Sequence, residues 1–125
     1  MSSSNEEVIT SFVKEFDVAA PDPQKVGAYF TDDAVYHNIP MAPINGKAAI
    51  IETIGNWKAM MACNGWEIVR QMSDGNVVMN ERIDRFTANG KQIALPVVGV
   101  FELKDGKISA WRDYFDLAQF RAQFG

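Results

Sequence analysis

The sequence predicts an α+β domain in which helices lie on one face of a curved, mostly antiparallel sheet. Three observations predict it. Apolar residues recur at helical spacing through most of the first sixty positions, alternate with polar ones from Trp66 onward, and in that second half are interrupted by Asp74-Gly75, Asn89-Gly90 and Asp105-Gly106. Those dipeptides favour the tight turns of antiparallel hairpins.

The elements follow in order. Ser4 with Glu7 three residues later forms a capping-box pattern, and Val8, Ile9, Phe12, Val13 and Phe16 continue as one helical face. Asp22-Pro23 starts a second, short helix, with Asp as N-cap and Pro in the first turn, that runs to about residue 30 and buries Val26, Tyr29 and Phe30. Thr31-Asp32-Asp33 breaks that pattern, and residues 34–39 read as a strand closed by Pro40. After Asn45-Gly46, residues 47 to about 61 form a third helix with Ile50, Ile51, Ile54, Trp57 and Met61 on one face. Four strands follow at residues 66–72, 77–86, 93–103 and 108–115. Asp116 caps a short last helix carrying Leu117, Phe120 and Phe124. A curved sheet wrapped around helices makes a cone, and a cone offers a pocket.

With 125 residues the expectation is one domain, 1–125. The net charge of −4 comes without a cluster of Lys and Arg, which argues against a nucleic-acid surface. No apolar run approaches the roughly 18 residues of a membrane span. The first residues, Met1 to Glu7, lack the basic and apolar parts of a signal peptide. A cytoplasmic protein needing no metal or other cofactor is therefore expected. The single cysteine, Cys63, has no activating neighbour in sequence and reads as a packing residue.

Some polar positions fit poorly with packing alone. On the strand at 77–86, one face carries Val77, Met79, Glu81 and Ile83, the other Val78, Asn80, Arg82, Asp84 and Phe86. If the second face meets solvent, Arg82 and Asp84 are an ordinary surface ion pair. If it meets the cone, they are a desolvated pair that must be fully hydrogen-bonded. On the last strand Asp113 shares a face with Trp111 and Phe115. It is either an edge-strand charge that discourages aggregation or a carboxylate in an apolar wall, opposed by a cation such as Arg82. Tyr36 and Asn38 share a face of the first strand and can hold a water molecule without carrying charge, or can simply pack and end the strand. His37 points the other way and receives no role.

Asn80-Glu81-Arg82-Ile83-Asp84, Gly99-Val100-Phe101 before Lys104-Asp105-Gly106, Trp111-Arg112-Asp113-Tyr114-Phe115-Asp116 and Tyr36-His37-Asn38-Ile39-Pro40 together resemble the limonene-1,2-epoxide hydrolases. That family shares the nuclear transport factor 2-like (SnoaL-like) cone. The resemblance implies a one-step hydrolysis without a covalent intermediate. In it Asp113 is the general base on a water also held by Tyr36 and Asn38, Asp84 is the general acid on the epoxide oxygen, and Arg82 sits between the carboxylates. The chemistry requires one carboxylate ionised and another protonated at the same pH, which two acids coupled through one Arg can provide. The expectation is that the positive charge keeps Asp113 ionised and the apolar cone keeps Asp84 protonated.

An apolar lining of Met41, Ile44, Leu95, Val97, Trp111 and Phe115, with the Met60/Met61 region, would suit a small apolar epoxide, terpene-like or cyclic. The rival readings are a ketosteroid-isomerase-like or polyketide-cyclase-like enzyme on the same cone and a non-catalytic small-ligand-binding module. A homodimer is expected, because an open sheet face commonly packs on a symmetry mate.

Overall fold

The computed structural model describes residues 2–124. Met1, Gly125, the side chains of Ser2 and Ser3 and that of Phe124, which the sequence placed on the last helix, lie outside the described residues. Helix α1 (Ser2–Lys14) runs on into a 3-10 turn (Glu15–Asp17) and is followed by α2 (Pro23–Gly27), β1 (Phe30–Asn38), β2 (Ile44–Asn45) and α3 (Lys47–Trp57). The rest is β3 (Ala62–Asp74), β4 (Val77–Ala88), β5 (Lys91–Lys104), β6 (Lys107–Tyr114) and α4 (Leu117–Phe124).

The predicted elements are all present, with shifted ends. Ser4 and Glu7 sit inside α1, which is already helical at Ser2, so they do not mark its start. Helix α2 ends at Gly27, and Phe30 opens β1 instead of closing the helix. Thr31-Asp32-Asp33 lies within that strand, where the pairing with β6 is irregular. Helix α3 stops at Trp57 rather than near Met61, and β3 starts four residues before Trp66. The predicted caps hold: Asp22 accepts from the Gln24 amide at 3.0 Å, and Asp116 from the Ala118 and Gln119 amides at 2.9 and 3.2 Å.

The sheet order is β2-β1-β6-β5-β4-β3. Strands β3 to β6 form an antiparallel meander, and β1 joins it in parallel beside β6. Asn89-Gly90 and Asp105-Gly106 have positive φ at both positions, which type I′ turns require and which locks the register of β4, β5 and β6. No described helix is long and apolar enough to cross a membrane.

Two apolar clusters fill the concave side. The larger lies under α1 and α3 and centres on Phe12, whose ring makes edge contacts with Phe16, Tyr29, Phe30, Phe101 and Trp111 at 5.0 to 5.9 Å. Phe16 stacks on Trp66, and Tyr36 on Trp111, each at 3.9 Å. The smaller joins Phe86, Ala88, Ile93, Leu95 and Val97 to half-buried Met61, Phe115 and Phe120. There β6 ends at Tyr114, paired with Val98, and β5 runs on without it. The Gln123 amide of α4 fills the vacated place, donating to the Ala94 carbonyl at 3.0 Å and accepting from the Ala94 amide at 2.9 Å.

Candidate active site

Between the two clusters lies a polar layer. The inward face of β4 reads Val78, Asn80, Arg82, Asp84, Phe86, Ala88, starting in the large cluster and ending in the small one. Register carries the layer across the sheet: Asn38 on β1 pairs with Asp113 on β6, Asp113 with Gly99 on β5, and Gly99 with Asn80 on β4. Arg82, Asn80, Asp113 and Asp84 are only 0, 2, 3 and 5% exposed. The solvent-facing alternative for Arg82 and Asp84 is thereby overturned. So is the edge-strand alternative for Asp113, because β6 lies between β1 and β5.

Arg82 organises the layer. Its Nε and Nη2 donate to the two oxygens of Asp84, both at 2.9 Å, and Nη2 also donates to Asp113 Oδ2 at 2.8 Å. Nη1 donates to Asn80 Oδ1 at 3.0 Å. The guanidinium crosses from β4 to β6 over Gly99, where a Cβ would stand 2.3 Å from Arg82 Nη1 and 2.9 Å from Asn80 Oδ1. Gly99 is required by this close approach, not by its backbone angles. The Trp66 and Phe101 rings lie 5.3 and 6.0 Å from the guanidinium carbon and add cation–π attraction.

Asp113 is held on both sides: Trp111 Nε1 donates to Oδ1 at 2.7 Å, while Oδ2 takes the Arg82 bond. Each oxygen keeps a lone pair for a proton. Beside it, Asn38 Nδ2 donates to the Tyr36 hydroxyl at 3.1 Å, and that hydroxyl lies 3.4 Å from Asn38 Oδ1.

At Asp113 burial and the neighbouring charges oppose one another. Burial pushes its carboxyl above the ordinary aspartate range, Arg82 pulls it down, and Asp84 pushes it up again. The net shift is upward, so Asp113 takes up a proton more readily than a free aspartate does. Burial likewise opposes the charge of Arg82, but Asp113 and then Asp84 more than offset it, and the guanidinium stays charged. Tyr36 is raised by burial and then by Asp113, so it remains a neutral phenol. One buried guanidinium and two carboxyls balance to zero charge when the pair keeps one proton, and a layer this dry favours that state.

The five predicted polar residues thus converge. The predicted lining does so only in part. Leu95, Val97 and Phe115 belong to the small cluster beside the carboxylates. Met61 packs against both clusters, Ile44 against the large one, and Met60 is exposed. Met41 is exposed on the loop after β1, its carbonyl accepting from His37 Nε2 at 2.8 Å. Trp111 is fully buried in the large cluster and reaches the layer through its N–H. Cys63 is buried and its thiol is pushed up to about 11 by burial and then Asp84, as befits a packing residue. Sequence reasoning left out Asn80 and Gly99. Asn80 sits two residues from Arg82 on the same face, and a glycine inside a strand with no turn signal marks close backbone approach, so both were within reach. Among the described residues no group of three or more His, Cys, Asp or Glu side chains is arranged to hold a metal ion.

Residues 3–124 match the family model of the limonene-1,2-epoxide hydrolase catalytic domain. Epoxide hydrolase EphG of Mycobacterium tuberculosis (strain ATCC 25618 / H37Rv) is 35% identical over 94 residues, covering 74% of this chain and 61% of that protein. The chain therefore spans less than two thirds of the length of this curated relative. Among solved structures, an LEH-like epoxide hydrolase of M. tuberculosis superposes with a TM-score of 0.86 at 28% identity, over 98% of this chain and 90% of its own. A Catenulispora acidiphila DSM 44928 protein with a ketosteroid isomerase-like fold gives a TM-score of 0.83 at 21% identity, over 94% and 91% of the two chains. At that identity the likeness establishes the fold alone.

Proposed function

The chain belongs to the limonene-1,2-epoxide hydrolase family, and from that premise we propose that it adds water to a small apolar epoxide, giving a vicinal diol in one step. The observation that carries the reading is the pair of buried carboxyls on separate strands sharing one guanidinium. Asp113 is the general base. Its raised carboxyl suits the task, since a base works best when its conjugate acid approaches the working pH. The attacking water gives one hydrogen bond to Asp113 and one to Asn38 Oδ1 and accepts one from the Tyr36 hydroxyl, leaving a lone pair aimed at the epoxide carbon. As the C–O bond opens, Asp84 delivers the shared proton to the departing oxygen and Asp113 takes one from the water. The layer's net charge is the same before and after.

Leu95, Val97 and Phe115 line the substrate side in this reading, with Met41 and Ile44 at its margin and Trp111 acting through Asp113. Such a wall selects a cyclic or terpene-like epoxide over a sugar or phosphate. The residues need no cofactor for these steps. The outer face of the sheet exposes Val69, Met72, Met79, Val98 and Tyr114, with Met72 beside Met79 and Val98 beside Tyr114. A homodimer through this face would cover them. A free, buried Cys63 suits a cytoplasmic protein.

The test is turnover of a panel of cyclic epoxides in ¹⁸O-labelled water. Diol carrying solvent label in the first turnover is expected; label absent from that turnover indicates an enzyme ester and overturns the one-step scheme. Asp113→Asn and Asp84→Asn should each lower kcat about 10²–10⁴-fold while retaining cooperative unfolding. The acid limb of kcat/KM should lie above the ordinary aspartate range, because Asp113 must lose its proton before it can act.

A further inference from the structure

Arg82 can only donate hydrogen bonds, and this property orients a chain of amides behind it. Facing Nη1, Asn80 must present its oxygen, which turns Nδ2 outward, where it donates to Gln71 Oε1 at 3.0 Å. Gln71 must then turn its own Nε2 toward acceptors, and it meets the Thr10 hydroxyl at 3.1 Å and the Glu6 carbonyl at 3.3 Å on α1. A side chain that served only to fill space would need none of this order. Asn80 grips the guanidinium at Nη1, the nitrogen its carboxylates do not take, and Gly99 leaves the floor beneath it bare.

We infer that Asn80 is a positioning residue, its amide held by Gln71, which fixes how Arg82 divides its donors between Asp84 and Asp113. The inference rests on reading Arg82, Asp84 and Asp113 as the acid–base centre. With Nη1 anchored, the guanidinium plane cannot swing toward either acid, so Asp84 keeps two bonds and Asp113 keeps one. That inequality gives the two acids different environments although they share a cation.

The titratable groups facing this cluster are Asp84 on β4, Asp113 on β6, Tyr36 on β1 and Cys63 on β3. The Tyr36 phenol is raised, and the Cys63 thiol stands at about 11. Both stay neutral where the Asp113 carboxyl titrates.

Asn80→Asp keeps the size of the side chain and adds a third acid on Arg82. It should move both limbs of the kcat/KM profile, and the ¹³C-detected titration of the Asp84 and Asp113 carboxyls, to higher pH by about one unit. Asn80→Ala should lower kcat about tenfold while KM stays within about twofold. Gln71→Leu should reproduce a milder form of that loss, and Gln71→Glu, which keeps the acceptor for Asn80, should restore it. This last pair decides the matter even if Asn80→Ala fails to fold. Carboxyl titrations in Asn80→Asp that superimpose on the wild type would overturn the inference. So would equal kcat for both Gln71 variants. A wild-type chain that forms no diol from any epoxide sinks the hydrolase reading instead, and the carboxyl titration still rules on Asn80.

Discussion

The two apolar clusters on either side of the polar layer are built differently. The large one is closed by α1 and α3 and locked by rings meeting edge to face around Phe12. The small one is covered by half-buried Met61, Phe115 and Phe120, with Phe120 lying 6.2 Å from Phe86 and 5.8 Å from Phe115. Strand β4 supplies both, through Val78 at one end and Phe86 at the other. In the proposed reading one cluster fixes the depth at which the carboxyls sit, and the other governs what reaches them. Dense aromatic packing serves the first purpose, whereas an apolar cover a substrate can part serves the second.

Substitutions can test that division, in descending order of expected effect. Phe12→Ala should cost about 3–5 kcal/mol in denaturant unfolding, as a cavity opens among rings that have no room to relax. Gly99→Ala should leave most of the stability but cut kcat/KM about a hundredfold, because its Cβ takes the place of Arg82 Nη1. Phe120→Ala should cost only about 1–2 kcal/mol and show its main effect in KM and in the size of epoxide accepted. A loss as large as that of Phe12→Ala would abolish the distinction between the clusters. Gln123→Ala should cost about 1 kcal/mol or less and speed hydrogen exchange at the Ala94 amide, with exchange across the large cluster unchanged.

Much of this was legible in the sequence because the signals are local. The Asn89-Gly90 and Asp105-Gly106 turns and the Asp22 and Asp116 caps each specify their own geometry. Pairing partners are not local, so the parallel union of β1 with β6 and the two-residue β2 left no mark in the periodicity. The face of β4 was ambiguous for a related reason. Alternation separates two faces without saying which is inside, and Val77, Met79 and Ile83 make the outer one nearly as apolar. Ambiguity ends only when Arg82 is seen bridging to Asp113 on a strand two places away. The balance between burial and the cation at Asp113 was not legible, because it depends on burial depth, which a sequence does not record.

The Gln123 clasp has a consequence for how such a protein can change. Where β6 ends, one side-chain amide does the work of a neighbouring strand, so the final helix is moored to β5 by two hydrogen bonds and a few apolar contacts. Its clasp lies beyond the polar layer, at Ala94 of β5. Residues 117–123 are therefore joined to the rest through few contacts. A different segment that keeps the clasp could change the cover over the small cluster while Arg82, Asp84 and Asp113 stay in place.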